Sequence, residues 1–519
     1  MRETGERRET MERGMEKLRS VLARREMLLA AILLLAGTLL RFLCLGSFPP
    51  GLNQDEASIG FDAWSLLRWG MDRNGDAWPV LFVSWGSGQN VLYAYLSLPF
   101  LAVFGLSVTS LRLCAAFWGS VSLLAFWLLA RRTLGRSFGL LALTLLAFNP
   151  WHFTASRWAL ESNLLPAFLL LGVLALSYVS QKPWMLCLAA ALFALGLYAY
   201  GTAFLFLPLF LLGASILVLR RGYVKLRHFL PALGIFALIA LPLALCQLRN
   251  ALGLPGMKLG WMTLPALTET RQAATVSFSL RHLSDLGKLL WRQTDGLPWN
   301  SAGPFGLFYG LPGLAFLLLG LGSLLWRLCR GKMEDGRCCV LLALLSGLAA
   351  SLFIDVNVNR VNFLFLPLVW CQAEGLLLLR RRFAPALLPC LAALGVAAVL
   401  LVNWYGTKGA EKLAPAFHAG LTEAIRCAES LEPEQIWISG KVNMPYIYVL
   451  FETKADPREF LETVRWYNPH GAFRLAVSFG KYRFYGEAPA GVCILPVREA
   501  EGEILGIFGG YAVVFREEA

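Results

Sequence analysis

Met27 to Leu45 reads MLLAAILLLAGTLLRFLCL, an apolar run as long as the hydrocarbon layer of a bilayer requires. A helix rises 1.5 Å per residue, so about 20 apolar residues span about 30 Å. Residues 1–26 before it mix Arg and Glu, and Phe48-Pro49-Pro50 follows it without a small-residue cleavage site. The run is therefore an anchor rather than a signal peptide. Runs of similar length recur along the 519-residue chain, which is 57% hydrophobic and 16% charged with mean hydropathy +0.57. A soluble domain carries about 25% charged residues, so the composition predicts an α-helical polytopic membrane protein.

The formal charge of +13 is read loop by loop, because Lys and Arg mark cytoplasmic connectors. No soluble basic domain interleaves bases with aromatics, which excludes a nucleic-acid partner. With residues 1–26 as a cytoplasmic tail, Asp55-Glu56 emerge outside. The next basic connector, Arg131-Arg132 with Arg136, belongs inside, so an odd number of crossings separates the two. Two apolar runs are available, about 90–106 and about 112–130. Only the second is read as crossing. The first, with Tyr93, Tyr95 and Pro99, is read as an interfacial or re-entrant helix within a first outer loop of 46–111. Gln181-Lys182, Arg220 to His228, Arg327 to Arg337 and Arg380-Arg381-Arg382 then all fall inside. This gives about eleven transmembrane helices over 27–403 in a multi-pass plasma-membrane protein. Residues 404–519 shift to a small extracytoplasmic α/β domain, with strands near 435–439 and 511–515 and helices near 412–430 and 457–466.

The threading gathers the polar chemistry on one side. Asp55-Glu56 follows Pro49-Pro50-Gly51-Leu52-Asn53-Gln54 and precedes an amphipathic stretch, 57–69. Adjacent carboxylates can divide roles, one taking a proton and the other orienting a substrate or holding a cation. The alternative is an acidic pair favoured at a helix start by the dipole. The turn 149–162 holds His152, Arg157 and Glu161 together with two tryptophans; aromatic faces suit sugars and Arg suits phosphate, although an aromatic belt with a snorkelling Arg explains part of it. The turn around Tyr200 is also outside. Arg360, in Asp355-Val356-Asn357-Val358-Asn359-Arg360, needs an anionic partner, which is Asp355, Glu56 or the phosphate of a lipid-linked substrate. Loop 249–305 adds Arg249, Lys258, Arg271, Arg281, Lys288 and Arg292 against Glu269, Asp285 and Asp295. Most cysteines lie in apolar runs as small hydrophobes, and only Cys427 and Cys493 leave a disulfide open. A lone Asp-Glu is too small a ligand set to specify a divalent metal, so no cofactor is assigned and a metal stays open.

The outer Asp-Glu, the stretch Gly60-Phe61-Asp62-Ala63-Trp64-Ser65-Leu66-Leu67, the Pro150-Trp151-His152 turn and Ser156-Arg157 to Glu161 resemble the GT-C membrane glycosyltransferases. Within them the chain is most similar to glycosyltransferase family 39, which includes protein O-mannosyltransferases and lipid A aminoarabinose transferases. The resemblance implies an inverting transfer from a polyprenyl-phosphate sugar to a lipid, glycan or protein acceptor. It makes Asp55 the general base, with Glu56 supporting it. The leaving lipid phosphate then needs fixed cations, for which Arg157, Arg360 and His152 are candidates. Many relatives carry a basic residue before prolines where this chain has Gly88-Gln89-Asn90, which shifts weight to Arg360. A transporter or lipid flippase without chemistry is the alternative, but it calls for ionisable residues and broken helices near the midplane, and the spans are nearly free of Asp, Glu and Lys there. A scaffold whose outer domain binds a partner leaves the first outer loop unexplained.

Overall fold

The computed structural model describes residues 2–85, 87–268, 276–469 and 474–517. Among them the order begins α1 (Arg2–Phe42), α2 (Gln54–Trp69), a hairpin of β1 (Phe82–Ser84) and β2 (Ser87–Gln89), and α3 (Leu92–Phe104). The apolar bundle continues with α4 (Val108–Leu134), α5 (Arg136–Ala147), α6 (Pro150–Ala155), α7 (Leu165–Ser177), α8 (Met185–Ala199), α9 (Ala203–Arg220) and α10 (Phe229–Ala251). After α11 (Arg281–Arg292) come α12 (Gly310–Cys329), α13 (Asp335–Ser351), α14 (Phe365–Arg382) and α15 (Leu387–Gly406).

Among the described residues, six stretches pass on helix length and hydropathy together as able to cross a membrane, namely α4, α9 and those containing α10, α12, α14 and α15. A total of eleven is reached only by adding α1, α5, α7, α8 and α13, so that number is not fixed by helix length and hydropathy. The 13-residue α3 spans about 20 Å, short of the hydrocarbon thickness, because Gly105 at φ 72 ends it. Burial orders the layers: α14 is 83% buried within its apolar window, whereas that of α15 is 11% buried and faces outward. Close approach at the centre depends on glycine. A Cβ at Gly320 of α12 would lie 1.7 Å from the Cys371 carbonyl oxygen of α14, and one at Gly375 would lie 2.1 Å from that of Phe316.

The basic connectors share one end of the bundle. There Arg131 and Arg136 meet buried Glu26, Arg221 meets Asp335, and Arg337 bonds Glu374 and Glu334. The opposite end carries the C-terminal domain, a seven-stranded sheet of order β10-β11-β9-β5-β8-β7-β6. Its strands are β5 (Ile436–Ile438), β6 (Arg465–Trp466), β7 (Ala476–Phe479), β8 (Tyr482–Phe484), β9 (Gly491–Pro496), β10 (Glu503–Phe508) and β11 (Tyr511–Arg516), numbered after a hairpin of β3 (Met257–Leu259) and β4 (Met262–Leu264). β5 runs parallel to β8 and β9, and the other pairs are antiparallel. The helical stretch expected over 412–430 is interrupted between α16 (Lys408–Leu413) and α17 (Leu421–Ser430), where Gly420, at φ 92, passes too close to Phe508 for any side chain. Cys427 and Cys493 are unbonded. Glu269 and Arg271 lie outside the described residues.

The sheet domain sits directly on α2. Phe417 and Ala416 offer carbonyls to Leu52 N–H and the Asn53 side chain, and α18 (Pro445–Thr453) packs along α2. The stretch 57–69, expected to be amphipathic, is instead buried on nearly every side from Glu56 to Leu66, because the bundle covers one face and the sheet domain another.

Candidate functional site

Two buried arginines shape the loop that presents the acidic pair. Arg112, near the start of α4, donates to the Leu45, Pro49 and Gly51 carbonyls and grips Glu56 through Nε (2.8 Å) and Nη2 (2.7 Å). Arg157 donates to the carbonyls of Leu40, Leu43 and Phe48 at 2.6, 2.7 and 3.1 Å. Asn53 caps α2, its Oδ1 accepting the Asp55 N–H at 3.0 Å, while Glu56 reaches back to the Asn53 N–H at 3.1 Å. Glu56 also accepts the Ala159 N–H at 2.8 Å.

The two carboxylates are therefore unlike. Glu56 is fully buried and takes two guanidinium and two backbone N–H donors, the capping role that residue chemistry alone left in balance. Asp55, one position earlier, is half-buried in the first turn, where the helix dipole favours its ionised form. Of the two, only Asp55 keeps exposed surface. With Glu56 saturated, the pair does not present two carboxylates to a metal, and among the described residues no group of three His, Cys, Asp or Glu could hold one.

From the next turn of α2 a polar chain runs toward Glu161. Asp62 accepts from Arg73 at its backbone N–H (3.1 Å) and at Nη1 (2.8 Å). Arg73 also donates to Ser58 (2.6 Å) and Ser84 (3.1 Å) and lies over the Trp85 ring. Ser58 bonds the Gln89 carbonyl oxygen at 3.2 Å, and the Gln89 amide meets Glu161 at 3.4 Å. Gln89 thus links α2 to the Glu161 turn. Around that turn, Asn90 bonds the Leu197 carbonyl just before Tyr200, and Asn362 donates to the Ser162 carbonyl at 2.7 Å, two residues after Arg360. The Ser162 hydroxyl, the Thr202 hydroxyl and the Asn362 side-chain oxygen are buried without a partner, and buried polar groups are rarely left so.

The remaining expected residues separate by environment. Arg157 is committed to the end of α1. His152 is buried with Nδ1 2.7 Å from Arg41 Nη2; a guanidinium only donates, so Nδ1 accepts and the proton sits on Nε2. Arg360 stays at the rim, 29% exposed, against Asp355 at 3.3 Å rather than Glu56. Sequence reading passed over Arg112, Arg73 and Asp62. An arginine within the first turns of an apolar helix was the available signal for Arg112, since it demands a buried anion.

Asp72, beside this network, titrates abnormally. Its Oδ1 accepts the N–H groups of Asn74 and Asp76 at 2.8 and 2.9 Å, while Oδ2 is buried with no partner. Burial first, then the charges of Asp62 and Asp76, pushes its carboxyl up to about 8. A raised folded value means that the folded state keeps a proton the unfolded chain loses near 3.8, so the stability it contributes is complete below that pH and lost as pH rises through about 8. Asp72→Asn keeps the Oδ1 acceptor and is expected to flatten the fall in unfolding temperature between pH 4 and 8. A wild-type slope in the variant would rule this out.

A cavity of about 460 Å³ lies between α4, α7, α9, α13 and α14. It runs from Pro166 and Phe363, next to Ser162 and Asn362, to Ser180, Gln181 and Asp335 at the far end. Its middle is apolar, with Phe126, Leu169, Val173, Phe206, Phe210 and Trp370.

The crystal structure of ArnT from Cupriavidus metallidurans in the apo state superposes with a TM-score of 0.55 over 95% of this chain and 98% of that one, at 13% identity. The fold is that of ArnT. The same protein bound to undecaprenyl phosphate matches with a TM-score of 0.54 at 12% identity, over 94% and 97% of the two chains. Because both chains are covered almost completely, the ArnT fold includes the sheet domain as well as the bundle. The archaeal oligosaccharyltransferase of Archaeoglobus fulgidus, in complex with Zn and sulfate, gives 0.48 at 13% identity over 82% of this chain and 61% of that one. The family described as dolichyl-phosphate-mannose-protein mannosyltransferase matches residues 89–246, from β2 into α10. No curated protein matches the sequence.

Proposed function

We propose that this protein is a glycosyltransferase that moves a sugar from a polyprenyl-phosphate donor to an acceptor hydroxyl, by a single inverting displacement on the extracytoplasmic face of the plasma membrane. The observation that carries the reading is the division within Asp55-Glu56. Glu56 is locked by four donors, and Asp55 is left half-buried at a helix start. The family matched by residues 89–246 and the undecaprenyl phosphate bound by ArnT support a lipid-phosphate donor. Basic connectors at the far end support the side.

Asp55 accepts the proton of the acceptor hydroxyl as its oxygen bonds to the anomeric carbon. The bond from that carbon to the phosphate oxygen breaks, and polyprenyl phosphate departs with the electron pair. Its growing charge requires a cation. Arg157 is held by carbonyls and His152 by Arg41, so Arg360, exchanging Asp355 for phosphate, is the one we assign. Glu161 and Tyr200 flank the sugar, with Ser162, Thr202 and Asn362 offering neutral hydrogen bonds. The cavity from Phe363 downward takes the prenyl chain, whose acceptor partner is a lipid, a glycan or a protein.

Reconstituted into liposomes with a polyprenyl-phosphate sugar, the protein is expected to release polyprenyl phosphate. Release of a nucleotide from a sugar nucleotide instead would overturn the donor class. An impermeant thiol reagent applied to intact cells should label a cysteine at exposed Glu487 and miss one at exposed Gln181; the reverse pattern would overturn the side.

A further inference from the structure

Two contacts set the register of α18 on α2. The Asn443 side chain bonds Gln54, and the Phe451 ring fills the space beside Gly60, where a Cβ would lie 2.7 Å from its edge. Gln54 and Gly60 bracket Asp55 and Glu56. On α18 the residue one turn before Phe451, on the same face, is Tyr448. It is fully buried, and its hydroxyl has no partner. His418 packs against its ring at 5.2 Å, edge to face, and bonds the Tyr511 hydroxyl through Nδ1 at 2.6 Å. Tyr446, on the same helix, stands edge-on to Trp85, which lies under Arg73.

A buried phenol O–H without an acceptor is costly, and an ionised carboxylate is the acceptor that relieves that cost most. Burial chiefly, with the charges of Tyr511, Asp55 and Glu56, holds the Tyr448 phenol well above its usual range, so it stays a donor. Glu56 has no acceptor site left for it. We propose that Tyr448 is a positioning residue for Asp55, donating its hydroxyl to that carboxylate when an acceptor docks, so that the sheet domain completes the reaction site. Among the described residues the charged and titratable groups near Asp55 include Glu56 with its Arg112, Arg73 from the first loop, and Tyr448 from α18, with neutral His418 and Tyr511 behind it. Burial holds His418 down at about 4, so it carries no charge at neutral pH.

The inference rests on the proposed function, so its test includes a readout without turnover. Tyr448→Phe keeps the ring; kcat for sugar transfer should fall about tenfold or more with donor KM nearly unchanged, and the acid limb of kcat, which reports the complex, should move up, because a lost donor raises a carboxylate's pKa. Infrared titration of the Asp55 carboxylate with the acceptor of the transfer assay bound and no donor present, isolated by difference against Asp55→Asn, should show the same upward shift in Tyr448→Phe. 3-Fluorotyrosine at 448, a stronger donor, should move it down; it also serves if the phenylalanine variant misfolds. Identical titrations in all three proteins would overturn the role of Tyr448. Shifted titrations with no transfer from a polyprenyl-phosphate sugar would uphold it and sink the transferase reading.

Discussion

Asp55→Asn is expected to lower sugar transfer by about a hundredfold to ten-thousandfold, the range that a positioned general base contributes. The amide cannot take the proton of the acceptor hydroxyl, so the attacking oxygen would have to carry it into the transition state. Stability should barely move. Asp55 is half-buried at the start of α2, and losing a helix-dipole contact there costs about 0.3–1 kcal/mol. Capping survives in the variant, because the bond to Asn53 comes from the Asp55 backbone N–H. Turnover within a few-fold of wild type, at matched unfolding temperature, would remove Asp55 from the chemistry. Glu56→Gln supplies the contrast: it breaks ion pairing that shapes the loop, so its loss should appear in stability as well as rate.

Arg112→Ala is the second large effect, and it concerns folding. The guanidinium is fully buried, satisfies three carbonyls of the 45–51 loop and neutralises Glu56. Removing one partner of such a pair leaves a buried charge uncompensated, which costs about 3–5 kcal/mol. The orphaned carbonyls add to that. We expect the variant to lose its monodisperse peak in detergent or to melt far below wild type, with partial recovery in Arg112→Ala/Glu56→Gln, where the buried charge is gone. A singly substituted protein that melts like wild type would show that the loop is held by other contacts.

The candidate stretches were legible because they depend on local spacing. Asp55-Glu56 at a helix start, the 149–162 turn and the Arg360 turn are contiguous stretches whose residue types stand out against apolar surroundings. What spacing could not assign was the part each plays. Arg157 looked like a phosphate ligand because it shares a loop with tryptophans, but its two Nη groups are taken by carbonyls at and just past the end of α1, and its Nε is buried without a partner. Gln89 looked like a gap in a phosphate site and instead joins Ser58 to Glu161. Tyr448 carried no signal at all, being about 390 residues from Asp55 in the chain.

By itself the sequence determined the solvent of this protein, because hydrocarbon thickness sets run length; the side on which its polar residues gather is an expectation drawn from the basic connectors. It also singled out Asp55-Glu56, since two adjacent acids just past a span are conspicuous in a chain with so few charges. Only the tertiary structure decided which of the two is spent on capping and ion pairing and which keeps exposed surface. That choice depends on Arg112 and Ala159, each more than 50 positions away, reaching the same carboxylate. Burial and hydrogen-bond saturation come from the packing of distant segments, which a one-dimensional pattern does not encode.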